Sequence, residues 1–359
     1  MKYINTVSIL LLISLFMVSC VDYYDAKTEF SEPVLVVEGL VTNELKHHEV
    51  KLSLTVPFSN PFTFVPVRQA RIYVKDNLLN LYHFSEAEPG HYISNEPFSG
   101  ITGNVYTLHI ETQNGGRYQS DEQTIMPTVR LDTIYGQMVK RQIYIPDNSG
   151  ALILTEVEGI EVFADVQNYS SQMPRFRFDP TVLVQYITVL QPENPDSPLD
   201  FCRLKVGIEN LVNLTVPENE TATGSKLRHE LGFIPAERKY YPGLFILHTR
   251  IDRRALIVRQ YSLNITAFQY YKQLREQLLS DGNLFDPITV QLYGNIRSLS
   301  DPEELVLGFF EASGFHSQTF VLPSEPLMPH RISFKEVIDL DHLPRHQCYY
   351  DLRPPLWLY

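Results

Sequence analysis

Histidine pairs, a serine pair and an acidic turn are the groupings in this sequence whose side chains could do chemistry. His47-His48 would point to opposite faces of a strand, so the two cannot grip one ion together. His83 and His91 flank a turn and could face each other across a hairpin. A structural zinc site wants four ligands, so these histidines read as solvated side chains. Asp281, Asn283 and Asp286 faintly resemble a calcium loop but lack the acidic ladder and the closing Glu. Helix capping explains them more simply. Ser170-Ser171 has no neighbouring His or Asp with a hydrolase signature, and neither Gly-x-Ser-x-Gly nor a Gly-rich phosphate loop is present. The expectation is a protein that is not an enzyme and carries no metal or cofactor.

The sharpest chemistry belongs to Cys20. Lys2 precedes an almost wholly apolar run, Val7 to Val18, that is too short for a spanning helix of roughly 20 residues. It fits the core of a secretory signal. Met17-Val18-Ser19-Cys20 then resembles the bacterial lipobox, in which the cysteine thiol takes a diacylglycerol and becomes the first residue of the mature chain. Two or more acyl chains anchor stably where one is marginal. Residues 1–19 are therefore expected to be a lipoprotein signal, Cys20 the lipidation site and 20–30 a tether. Asp22 and Asp25 weakly resemble acidic export signals of surface lipoproteins, favouring the outer cell surface over the periplasmic face without separating the two. Of the 3 cysteines, Cys202 and Cys348 remain. They could pair in an oxidising compartment or stay as buried thiols. The net charge of −12 argues against nucleic acid and against an anionic-lipid surface.

The elements around these residues are mostly strands. With 21 tyrosines, 20 phenylalanines and 24 prolines the composition favours strands and turns. Val50, Leu52, Leu54 and Val56 alternate onto one face, as do Ala70, Ile72 and Val74, and Tyr106, Leu108 and Ile110. "EPGHY" and "NGGRY" read as turns, the second within a hairpin. The pattern predicts a mainly β fold. Residues 31–127 are expected to form an Ig-like or transthyretin-like sandwich, and 128–359 a larger β-rich domain. One segment breaks the pattern. Asn264 is a candidate N-cap for a helix near 265–280, with Ala267, Tyr271, Leu274 and Leu278 on one face, Lys272 and Glu276 as an i,i+4 pair, and Gly282 as C-cap. Asp132-Thr133-Ile134 resembles a short O-glycosylation signal and equally reads as a strand start.

The helix and the residues after it carry a family resemblance. Gln260-Tyr261-Ser262-Leu263, Gly282-Asn283-Leu284-Phe285-Asp286, Gly294-Asn295, Asp301-Pro302 and Leu307-Gly308-Phe309-Phe310 stand at spacings similar to those of the Bacteroidota outer-membrane lipoprotein family catalogued as domain of unknown function 4249. "LVVEGLVTN", "GHYISN" and "GRYQSDEQTIMPT" extend the resemblance over nearly the whole mature chain. It implies an outer-membrane lipoprotein whose gene neighbours are often TonB-dependent, SusC-like transporters. It implies no catalytic residue. On their own chemistry, the glycine and aspartate motifs read as turn punctuation.

The leading expectation is an accessory of a TonB-dependent transporter, capturing a nutrient or docking on the transporter. The alternative is a structural or adhesive envelope protein binding a protein, peptide or glycan partner. Tyr23-Tyr24, Tyr240-Tyr241, Tyr349-Tyr350 and Trp357 are the aromatics considered for sugar stacking.

Overall fold

A computed structural model describes residues 33–56, 64–146, 151–167, 175–189, 199–207, 213–214, 226–236, 250–278, 292–322, 332–333 and 335–336. The signal, Cys20, Cys348, Gly282, Trp357, the 281–286 turn, Ser170-Ser171 and the three tyrosine pairs lie outside these residues. Cys202 lies in a strand opposite Tyr186, with its side chain outside the description.

The chain is mainly β, with two sheets and one short helix among the described residues. Nine strands come first: β1 (Leu35–Thr42), β2 (Glu49–Leu54), β3 (Val65–Pro66), β4 (Arg71–Asp76), β5 (Leu81–Glu88), β6 (His91–Ser94), β7 (Val105–Glu111), β8 (Arg117–Ser120) and β9 (Gln123–Thr124). Long strands follow: β10 (Thr133–Pro146), β11 (Leu152–Gln167), β12 (Phe176–Val189) and β13 (Leu199–Gly207). Then come β14 (Asn213–Leu214), β15 (Lys226–Pro235) and β16 (Arg250–Ser262). Helix α1 (Ile265–Leu278) precedes β17 (Ile296–Ser298), β18 (Val306–Leu322), β19 (Ile332–Ser333) and β20 (Lys335–Glu336). The larger sheet runs β13-β12-β16-β18-β1-β2-β6-β5-β4-β7-β8-β17, and the smaller β15-β11-β10-β19.

Alternation places the first core. Val50, Leu52, Ile72, Val74, Tyr106, Leu108 and Ile110 are all buried. The sheet curls enough that Leu108 Cδ2 would lie 3.7 Å from a Cβ on Gly39. Ile296, Val306, Phe310 and Ala312, from near the end of the chain, complete this core. The second core lies where the small sheet covers β12, β16 and β18, with Ile160, Val162, Phe176, Phe178, Leu256, Val258 and Phe320 meeting between the layers.

Strand β18 joins the two. Val306–Ser313 pairs in parallel with all of β1, and Gly314–Leu322 pairs antiparallel with β16. Its middle, Phe309 to Gly314, is buried without alternation because both faces are covered. Phe310 and Ala312 enter the first core, while Phe309 packs on the opposite face beneath α1. Gly308, at φ +89°, lets two backbones meet. A Cβ there would come within 2.0 Å of the Val37 carbonyl oxygen, and one on Gly294 would strike the Gly308 oxygen.

Helix α1 begins as its cap predicts. Ala267 N–H donates to Asn264 Oδ1 at 2.8 Å, and Asn264 Nδ2 donates to Gln123 Oε1 at 2.8 Å. Ala267 and Phe268 are buried against Tyr261, Leu263 and Phe309, with Tyr271 packed beside them. Leu278 is exposed, so the buried face is confined to the first turns. The Lys272–Glu276 pair sits at 4.0 Å in solvent and contributes little. Below the helix, Arg177 Nη2 donates to Glu311 Oε2 at 2.9 Å and the Tyr271 hydroxyl donates to the same oxygen at 2.5 Å.

Gly294-Asn295 is more than turn punctuation. The Asn295 amide donates from Nδ2 to the Phe310 carbonyl and accepts the Phe310 N–H at Oδ1, both at 2.8 Å, imitating a neighbouring strand. Asn295→Ala would leave a buried donor and a buried acceptor unmade. The expected loss is about 3 kcal/mol in urea unfolding. Asn295→Asp, which keeps the acceptor but sets a carboxylate oxygen against the Phe310 carbonyl, should lose at least as much at pH 7. Wild-type stability in Asn295→Ala would remove this role from the Gly-Asn motif.

Candidate functional site

The same alternation that fills the first core sends a second set of residues outward. With Ile72, Val74, Phe84, Leu108, Ile110 and Tyr118 turned inward, Tyr73, His83, His109 and Gln119 turn to solvent. Register then brings them into one line across four strands. His83 lies opposite Tyr73, Tyr73 opposite His109, and His109 opposite Gln119. Beside this line runs a charged one, Arg71 opposite Glu111 opposite Arg117. Arg71 Nη1 and Glu111 Oε2 are 3.6 Å apart in solvent.

Tyr73, His83 and His109 with Arg71, Glu111 and Arg117 floor a groove of about 770 Å³, also lined by Gln69, Glu86, Asn95 and Leu299, while Gln119 lies outside its lining. That is within the usual range for ligand pockets. Its walls are pinned. On one side the Tyr118 hydroxyl donates to Glu304 Oε1 at 2.7 Å and Arg117 N–H donates to Ser300 Oγ at 3.0 Å, fixing the turn after β17. Burial, then hydrogen bonding to Glu304, pushes the Tyr118 hydroxyl well up, so it stays a donor. On the other side Glu86 accepts from Gln69 N–H at 2.9 Å and from Gly90 N–H at 3.0 Å. This holds Gln69 at φ 56°. Ser85 donates its hydroxyl proton to Asn95 Oδ1 at 2.7 Å rather than to a histidine.

The rings stand on the sheet. Tyr73 and His109 are stacked, with centroids 4.6 Å apart and planes 11° apart. On the other side of Tyr73, the His83 ring lies 5.9 Å away, tilted by 51°. The Tyr73 hydroxyl and the ring nitrogens of His83 and His109 make no hydrogen bond among the described residues, and all three residues line the groove. Burial, and then nearby Lys75, lowers the His109 pKa, so its imidazole is neutral at pH 7.

His83 and His91 do not face each other. The β5–β6 register shifts between Glu86 and Glu88, and His91 falls opposite Glu88 and Lys51 with Nε2 3.1 Å from Glu49 Oε2. His47 and His48 do part, as expected: His47 Nδ1 bonds the Ser94 carbonyl at 2.7 Å, and His48 Nε2 the Phe98 carbonyl at 2.9 Å. His48 is not solvated, however. It is 1% exposed against the Phe98 ring. Asp132 N–H bonds the Asp165 carbonyl at the start of β10, the strand-start role expected of Asp132-Thr133-Ile134. No group of three or more His, Cys, Asp and Glu able to hold a metal occurs among the described residues. Tyr73 and His109 escape sequence reasoning, although they are the outward positions of strands whose inward positions are legible.

A family model described as Domain of unknown function (DUF4249) matches residues 21–319. No curated protein matches the chain.

Buried histidines make stability pH-dependent. Burial lowers His48 and His229 from 6.5 to about 4. Between those values the unfolded chain takes up protons that the native state refuses. Their contribution is therefore full above pH 6.5 and lost as pH falls toward 4, on the order of 3 kcal/mol each at most. In urea unfolding, His48→Gln should show a shallower loss of stability from pH 7.5 to 4.5 than wild type. An identical slope would mean His48 titrates normally in the fold.

Proposed function

The chain belongs to the DUF4249 family, and on that footing we propose that it is a non-enzymatic lipoprotein of the outer membrane, accessory to a TonB-dependent, SusC-like transporter. In this reading Cys20 carries acyl chains, residues 20–30 form a tether, and the body stands at the cell surface to capture a nutrient and pass it on. The observation that carries the reading is the groove: ligand-sized, floored by unpaired polar ring edges, with pinned walls. Binding rather than catalysis is supported by the commitment of Ser85 to Asn95 and of Glu86 to backbone N–H groups. No helix among the described residues is long and apolar enough to cross a membrane. Acyl chains on Cys20 supply what that requires, at about 0.8 kcal/mol per buried methylene.

A structural or adhesive envelope protein, with the first strands as an Ig-like or transthyretin-like spacer, is the second reading. The β4–β5 turn favours it. Asp76, 2% exposed, accepts from the N–H groups of Leu78 at 2.9 Å and Asn80 at 2.8 Å. It also accepts from Asn80 Nδ2 at 2.8 Å and the Tyr82 hydroxyl at 3.3 Å. This rigid turn shows Leu78 and Leu79 to solvent at 62% and 71%, with Leu79 at φ 69°.

Wild type is expected to label with palmitate, pellet with outer membranes and co-purify with a transporter from detergent extracts. Cys20→Ala should lose the label and the pelleting. An unlabelled wild-type protein would overturn the lipid anchor. Unchanged uptake on deletion, with no transporter in the extract, would leave the adhesive reading.

A further inference from the structure

We infer that the groove over β5, β4, β7 and β8 binds a neutral oligosaccharide, whose hydroxyls are read by His83, Tyr73 and His109. This rests on the reading of the groove as the capture site and names what it captures.

The chemistry of the floor selects the class. A phenol and a neutral imidazole each both donate and accept a hydrogen bond, and an amide side chain does the same through two different atoms. A sugar hydroxyl likewise does both. An anion accepts only, and would be better served by a surplus of donors. Here the charges lining the groove cancel, Arg71 and Arg117 against Glu86 and Glu111. A purely apolar ligand would cover the Tyr73 hydroxyl and the two imidazole edges without pairing them, which costs free energy at every one.

The backbone argues against a peptide strand. Adding a strand requires a free sheet edge. The groove lies over the faces of β5, β4, β7 and β8, whose main-chain groups are engaged with one another across the ladders. Recognition there falls to side chains alone, as a ligand with many hydroxyls and no backbone ladder requires. Two inter-strand gaps of about 4.8 Å make the row about 10 Å long, enough for more than one sugar ring.

The test is calorimetric titration of the detergent-purified full chain with malto-, cello-, xylo- and mannohexaose, with oligogalacturonate as the anionic counterpart and hexaglycine as a peptide. At least one neutral hexaose is expected to bind. Tyr73→Ala should weaken it roughly tenfold or more, the equivalent of about 1.4 kcal/mol. Tyr73→Phe, which keeps the ring and loses the hydroxyl, should show an intermediate loss. Tyr73 is half-buried on the outer face, so an unchanged melting curve in both variants will separate lost binding from lost folding. Tyr73-dependent binding of oligogalacturonate or hexaglycine, with no neutral hexaose bound, would overturn the saccharide class while leaving the groove as the capture site. Absence of binding by every probe, or neutral binding indifferent to Tyr73→Ala, would overturn the saccharide assignment and the groove together.

Discussion

The structure depends on one strand having two sets of neighbours. β18 completes the first core through parallel pairing with β1 and the second through antiparallel pairing with β16. A parallel pair cannot be closed by a hairpin, and here the partners come from opposite ends of the described chain. Their pairing must wait for long-range closure, whose entropy has to be met before the contacts form. Once formed, the strand leaves little freedom. Phe310 is fully buried on one side and Phe309 lies under the helix on the other, so a one-residue slip would exchange them along with Glu311 and Ala312.

Glu311 explains why such a slip is refused. It is 1% exposed on the helix side of β18 and meets Arg177 of β12 and Tyr271 of α1. The guanidinium lies 4.1 Å from the Tyr261 ring centroid and 4.7 Å from that of Tyr271. Burial alone would pull the Arg177 pKa down; Glu311, Tyr271 and Tyr261 together outweigh it, and the net direction is up. Burial, reinforced by Glu311, drives the Tyr271 hydroxyl well above 10, so it remains a donor. Arg177 Nε and Glu311 Oε1 have no hydrogen-bond partner among the described residues. A buried pair so incompletely satisfied gains little net stability over apolar packing. What it contributes is position: a shifted register would strand a charge in the interior, and the helix would lose the oxygen its tyrosine reaches for.

Local features of this fold are readable in the sequence, and pairings are not. The helix and its Asn264 cap follow from spacing, and the inward faces of β2, β4 and β7 follow from period two. Register does not follow from period two, because alternation says which face a residue takes and never which residue stands beside it. His83 is therefore legible as a strand histidine but not as the neighbour of Tyr73, and its expected companion His91 goes elsewhere across a bulge. His48 misleads for a related reason. A histidine beside another histidine looks polar, yet the Phe98 carbonyl and ring that bury it belong to a distant loop. Gly294-Asn295 looks like a turn because the strand edge it imitates lies next to Phe310, which sequence distance hides.

The groove inherits its form from the core beneath it. Each side chain in the His83–Tyr73–His109 row is the chain neighbour of one that is buried, so the row stays aligned only while Ile72, Phe84, Leu108 and Ile110 hold their places. Its far wall hangs on Tyr118 and Glu304 and on the short pairing of β17 with β8. β17 in turn follows Asn295, clamped to Phe310 on β18. The chain of support thus runs from the seam strand, through a side-chain amide that stands in for a strand, to the edge of the site. A ligand of the proposed site would meet it already shaped. Polar edges held by cross-strand stacking would lose little further freedom on binding, and that preorganisation, more than the number of hydrogen bonds, would let a shallow surface retain a strongly hydrated ligand.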